Sequence, residues 1–159
     1  MLLFIKIVLL LGLLLITFQD FKERKVSLWL LIVVLFLLGF LHLQNSTPLL
    51  FLANSFVNMG IVFLILFTLY LYTTYKLKQA FLTAFGLGDL LFFIAIAIAF
   101  PTLTFIVLFT FSLFFTALIY FLFSKKLNHQ TVPLAGLQSL YFSLIFLLNW
   151  SLTLFNFYQ

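Results

Sequence analysis

The stretch LLLGLLLITFQDFKERKVSLWLLIVVLFLL, Leu9 to Leu38, is two long apolar runs divided by one short charged segment. The charges are packed together as Asp20, Lys22, Glu23, Arg24 and Lys25. A bilayer core about 30 Å thick takes about 20 apolar residues as helix. The stretch therefore reads as two membrane spans joined at the water interface. An isolated strand cannot satisfy its backbone in lipid, so both spans are expected to be helices.

The rest of the chain extends the pattern. Of its 159 residues 66% are hydrophobic and 7% charged, with a mean hydropathy of +1.34. Soluble domains carry about 25% charged residues, so this chain has too few to coat a water-facing surface. It reads as an integral membrane protein. The absence of cysteine excludes disulfides, zinc ribbons, iron–sulfur clusters and thiol nucleophiles. The net charge of +5 is spread over short clusters between apolar runs, which points to membrane topology and not to nucleic acid.

Six spans are expected, in an all-α bundle forming a single domain over residues 1–159. They run from Leu2 to Phe18, Leu28 to Leu43, Phe56 to Tyr75, Leu87 to Phe100, Leu103 to Phe123 and Leu134 to Phe155. An apolar patch, Leu49 to Ala53, precedes the third. The segments HLQNSTP (His42 to Pro48), Pro101-Thr102 and SKKLNHQTVP (Ser124 to Pro133) carry loop chemistry. No small-residue cleavage site follows the run Ile7 to Thr17, so the first span is expected to be retained. No internal repeat or pair of broken helices suggests a transporter. The 25 phenylalanines suit lipid and signal nothing further.

Lys22, Arg24 and Lys25, then Lys76 and Lys78, then Lys125 and Lys126 follow alternate spans, and the opposite loops carry no Lys or Arg. Only Lys6, inside the start of the first span, stands apart. The positive-inside rule puts the three basic loops in the cytoplasm and both termini outside. Asp20 then lies at the cytoplasmic end of the first span and Asp89 at the cytoplasmic start of the fourth. The chain's only two aspartates share one depth and one face.

Each has an ordinary reading. Asp20 suits a solvated charged turn. Asp89 suits a helix cap. As a pair they suggest more, because ionisable groups in membrane segments usually face a bundle interior or a water-filled cavity. Two carboxylates held close cannot both ionise easily, so they share a proton and titrate as a unit. The ionised one can take a proton from water while the protonated one hydrogen-bonds to a scissile carbonyl. That is aspartic-protease chemistry, and it requires no metal and no other cofactor. Gly86 and Gly88 precede Asp89, where they would permit unusual backbone angles and close approach of a substrate backbone, or simply break the helix.

With these residues in place the chain resembles a known group. GLGD, Gly86 to Asp89, is similar to the GxGD signature of membrane aspartyl proteases. DFKERKV, Asp20 to Val26, resembles the first motif of the type IV prepilin leader peptidases, an Asp followed by Arg24 and the β-branched Val26. The resemblance implies six spans, a site at the cytoplasmic face and Asp20 with Asp89 as catalytic dyad. Gly86, Gly88 and Arg24 would support the motif and the substrate backbone. Pilin-like precursors with a short basic leader would be the substrates and the lipid bilayer the setting, in a type IV pilus or secretion system. Ser27 and Leu28 stand where many relatives have Pro-Asn, and Leu91 where many have lysine. Many relatives also carry a Cys-rich domain that methylates the new N-terminus. With no cysteine, the chain resembles the short, peptidase-only branch of preflagellin and tight-adherence peptidases.

Other residues carry less. His42 and His129 are expected on opposite faces, each as a satisfied interfacial side chain. Glu23 is expected to pair with its basic neighbours. Asn45-Ser46-Thr47 and Asn149-Trp150-Ser151 match the glycosylation sequon, a pattern common by chance. Trp150 and Tyr158 read as interfacial anchors. Two rivals remain. A non-catalytic scaffold derived from such a peptidase fits the leucine at 91. A proton-coupled transporter would need charged residues deeper in the spans.

Overall fold

A computed structural model describes residues 1–78, 81, 85–123, 133–152 and 157–158. Among them run six α-helices and no strand: α1 Leu2–Glu23, α2 Leu28–Gln44, α3 Pro48–Leu71, α4 Leu87–Ala99, α5 Thr102–Phe123 and α6 Leu134–Leu152. A π-helical turn, Tyr72–Leu77, prolongs α3. The all-helical expectation holds. Lys125, Lys126 and His129 lie outside the described residues.

Four helices are long and apolar enough to cross a membrane: α1, α3 with its extension, α5 and α6. The expectation of six full-length spans holds for these. α2 has 17 residues and α4 only 13. At about 1.5 Å per residue, α4 is about 20 Å long, short of the roughly 30 Å of a bilayer core.

α4 is short because its C-terminal end is closed inside the bundle. Pro101 prevents the helix from continuing, which leaves its last carbonyls without helical partners. Side chains of α2 and α3 supply them. Asn58 Nδ2 donates to the carbonyls of Ala97 at 2.9 Å and Phe100 at 2.8 Å, and His42 Nδ1 donates to that of Ile98 at 2.9 Å. His42, in the last turn of α2, is fully buried against Phe51 and Tyr158 and caps α4 from within the protein. Asn58→Leu should therefore destabilise the protein by about 1–3 kcal/mol, since buried carbonyls lose their donor. Thermal unfolding in detergent measures this.

The patch Leu49 to Ala53 belongs to α3, which starts eight residues earlier than the hydropathy suggests. Asn54 and Ser55 dilute the apolar signal without interrupting the helix, and Asn54 Oδ1 accepts from the Thr102 hydroxyl at 3.1 Å. The sequon-like Asn45-Ser46-Thr47 is a capping turn. Asn45 Nδ2 donates to the Leu41 carbonyl, the Ser46 hydroxyl to that of His42, and Thr47 Oγ1 accepts from the Leu50 N–H. Pro48, which has no N–H to satisfy, opens α3.

α4 packs chiefly on α2 and α3, while α1 packs along α6. Phe92, Phe93, Ala95, Ile96, Ala97 and Ala99 of α4 are buried. Leu9, Leu13 and Ile16 of α1 and Phe142 and Phe146 of α6 join the same apolar cluster. Large apolar side chains such as Phe36, Phe63, Phe114 and Phe121 cover the outside too. A chain apolar on both inside and outside is a membrane protein. Lys6 meets the ring of Trp150, its Nζ 5.0 Å from the centroid.

Candidate active site

Asp20 sits in the last turn of α1 and Asp89 in the first turn of α4. Both are held by the start of α6. The Ala135 N–H donates to Asp89 Oδ1 at 2.7 Å, and the Gly136 N–H donates to Asp20 Oδ2 at 2.6 Å. Adjacent backbone donors thus bring the two carboxylates together.

The sequence of α6 explains why its start is available. The first N–H groups of a helix have no partner within it, and a Ser, Thr, Asp or Asn at the N-cap normally accepts from the second or third. Here Pro133 precedes the helix, and its carbonyl accepts from the Leu137 N–H. Its side chain accepts nothing. Asp89 and Asp20 take over, from other helices, the N–H groups of the second and third residues of α6. The positive end of the helix dipole favours their negative charge. Burial opposes it, and Asp20 is only 7% exposed. The Gly86 N–H also favours charge on Asp89, and the positive Arg24 acts on both carboxylates.

Arg24 ends α1 in a left-handed conformation, φ 54° and ψ 25°, and its N–H donates to the Asp20 carbonyl. Glycine is the usual residue there, and a side chain costs about 1–2 kcal/mol. Its Nε and Nη1 are buried with no hydrogen-bond partner among the described residues. Beyond it, the Ser27 N–H donates to Gln19 Oε1 at 2.9 Å, which fixes the turn into α2. A cleft of about 350 Å³ opens between this turn and the start of α4, lined by Asp20, Arg24, Lys25, Gly86 and Asp89 among others. A larger groove of about 620 Å³, along α2, has only apolar residues and Gly39 in its wall and no titratable group.

For Gly86 and Gly88 the structure overturns only the expected backbone angles. No described glycine has a positive φ, so unusual backbone angles are not their contribution. Gly86 is extended at φ −64° and ψ 145°, and Gly88 lies within α4. Space is what matters. A Cβ on Gly86 would lie 3.2 Å from Asp89 Oδ2, whereas one on Gly88 would make ordinary contact with Val26 at 3.6 Å. A Cβ on Gly136 would lie 2.9 Å from both Cβ and Oδ2 of Asp20. Leu91 is partly buried against the core, so this position serves packing here. Glu23 is exposed at the end of α1.

The type IV leader peptidase family matches residues 7–122, a span containing Asp20, Arg24, Gly86, Gly88 and Asp89. The chain belongs to that family. Membership implies peptidase activity, and the apolar helices place it in a membrane. No curated protein and no solved structure matches the chain. The family match ends before α6, so it omits the backbone donors that hold both aspartates.

Sequence reasoning missed Ala135 and Gly136. The available signal was PLAG, Pro133 to Gly136: a helix start with a proline, two small residues and no capping side chain immediately before the helix. In a membrane protein, such a start needs an acceptor from elsewhere in the fold.

Proposed function

We propose that this leader peptidase is an aspartic-type endopeptidase with Asp20 and Asp89 as its dyad. The observation that carries the reading is the pair of adjacent N–H groups, Ala135 and Gly136, that hold one carboxylate each. The ionised member takes a proton from water, and the resulting nucleophile attacks the scissile carbonyl. The protonated member donates to the carbonyl oxygen as the tetrahedral intermediate forms. Collapse of that intermediate breaks the C–N bond, with a proton passing to the leaving amine. The roles belong to the pair and are not divided between its members.

The substrates are pilin-like precursors whose short basic leader is removed at the cytoplasmic membrane face. Lys22, Arg24, Lys25, Lys76 and Lys78 at the helix ends support that orientation, with both termini outside. Purified protein in liposomes should cut such a precursor once, between leader and apolar helix. A precursor that stays intact under all conditions sinks the proposal.

Arg24 serves the substrate backbone. Its Nε and Nη1 have no partner among the described residues, and a turn of the side chain into the cleft it lines would present them to a substrate carbonyl. Arg24→Gly separates this role from folding. Glycine relieves the left-handed strain, so the thermal midpoint should hold or rise. Cleavage should nonetheless fall about tenfold or more, as expected when a charged donor to substrate is lost. Wild-type cleavage by Arg24→Gly removes the assigned role.

A further inference from the structure

One turn deeper in the membrane, a second contact ties the same two helices together. Thr17 Oγ1 and Ser139 Oγ lie 2.8 Å apart. Thr17 is three residues before Asp20 on α1, and Ser139 three residues after Gly136 on α6. The helices run antiparallel, so the two contacts stack. The Ser139 hydroxyl donates to the Gly136 carbonyl at 2.9 Å, so Thr17 is the donor between the two hydroxyls, its one proton shared with the Leu13 carbonyl 3.0 Å away. Gly136 is thus gripped at both ends from α1. Its N–H meets Asp20 directly, and its carbonyl meets Thr17 through Ser139.

We infer that Thr17 and Ser139 are positioning residues for Asp20. The inference rests on the dyad reading. Ser139 is fully buried, and its hydroxyl can find partners only in protein. A hydrogen-bonded pair across two helices resists sliding or rotation of one past the other, which apolar contacts permit more readily. Sliding α1 along α6 would draw the Asp20 carboxylate off the Gly136 N–H. Rotation would turn it away from Asp89. The pair fixes both motions close to the carboxylate, and neither residue lines the cleft.

Such a role acts on the chemical step and not on substrate binding. Thr17→Val keeps the shape and removes the hydroxyl. It should lower kcat about tenfold with KM unchanged, within the roughly hundredfold loss that a displacement of about 1 Å can cause. Thr17→Ser keeps the hydroxyl and should restore most of the rate, whereas a role in packing alone would need the methyl group. Ser139→Ala introduces no bulk and should match Thr17→Val. The double variant should be no slower than either single one, because the two hydroxyls act as a unit. Wild-type kcat in both Thr17→Val and Ser139→Ala overturns the inference. So does additive loss in the double variant, or failure of Thr17→Ser to rescue. Cleavage by the wild-type protein in the same assay, abolished by Asp20→Asn, checks the dyad separately. If that control holds and the hydroxyl variants do not respond, only the positioning role falls.

Discussion

Gly136→Ala should slow precursor cleavage by about a hundredfold or more while leaving the helices in place. The added methyl would sit 2.9 Å from Cβ and Oδ2 of Asp20 and 3.3 Å from its Cγ. A Cβ, which cannot hydrogen-bond, essentially never sits under 3.0 Å from another heavy atom, so something must shift. Asp20 has a short side chain on a helix packed along α6, so it cannot turn aside without leaving the Gly136 N–H. Separating α1 from α6 would open the apolar contacts below. Either way the carboxylate moves relative to Asp89. The helix itself loses nothing, since alanine is a better helix former than glycine. The loss should therefore appear in rate more than in folding. Initial rates in liposomes, with thermal unfolding alongside, separate the two. The glycines of the sequence motif supply the comparison. Gly86→Ala should cost less, because only a few tenths of an ångström are needed at Asp89 Oδ2. Gly88→Ala should remain near wild type, because its methyl meets Val26 at ordinary distance. A Gly136→Ala protein as active as wild type would mean that the Asp20–Gly136 contact does not matter to the reaction.

That ordering shows how far the sequence was legible. Asp20 and Asp89 stood out because charge in an apolar segment is costly, and the basic clusters put them at one depth. Helices followed from the same apolar runs. Gly86 and Gly88 stood out because they precede Asp89 in the chain, yet the glycine tightest against an aspartate lies in another helix. Gly136 gains its importance from the approach of α1, 116 residues away along the chain. Its N–H is a backbone group that every non-proline residue carries, so no residue type announces it. The short α4 was hidden for a related reason. Hydropathy reports that Leu87 to Phe100 is apolar, but it does not report that Asn58 and His42 close the helix end inside the bundle. Asn54 and Ser55 misled in the opposite direction, suggesting a break within α3 where the helix continues, with Asn54 accepting from the Thr102 hydroxyl.

Asp20→Asn and Asp89→Asn should each lower cleavage by about 10²–10⁴-fold, the usual contribution of a positioned acid or base. These variants also decide between the two uses that the geometry offers. Both aspartates accept backbone N–H groups at the start of α6, so each already acts as a helix cap. A cap role alone would explain their burial without any chemistry. Asparagine caps a helix about as well as aspartate, through its amide oxygen. It cannot ionise, and it cannot pass a proton to a carbonyl. If capping is the whole role, the asparagine variants fold and complement a deletion as the wild type does. If the pair is the dyad, they fold and do not cleave. Alanine would not discriminate, because an unpaired buried N–H costs about 1–3 kcal/mol and would disturb the site under either reading. Asp20→Asn is the cleaner substitution. Asp89 has the Ala135 N–H on one side and the Gly86 N–H on another, and an amide would turn its NH₂ group toward one of them. Asp89→Asn should therefore lose some thermal stability along with its activity, whereas Asp20→Asn should lose activity alone. The double variant should be about as slow as either single one, because removing one member of a catalytic pair already disables the unit. Cleavage near the wild-type rate by Asp20→Asn would leave these aspartates as caps of α6 and return the scaffold reading to first place.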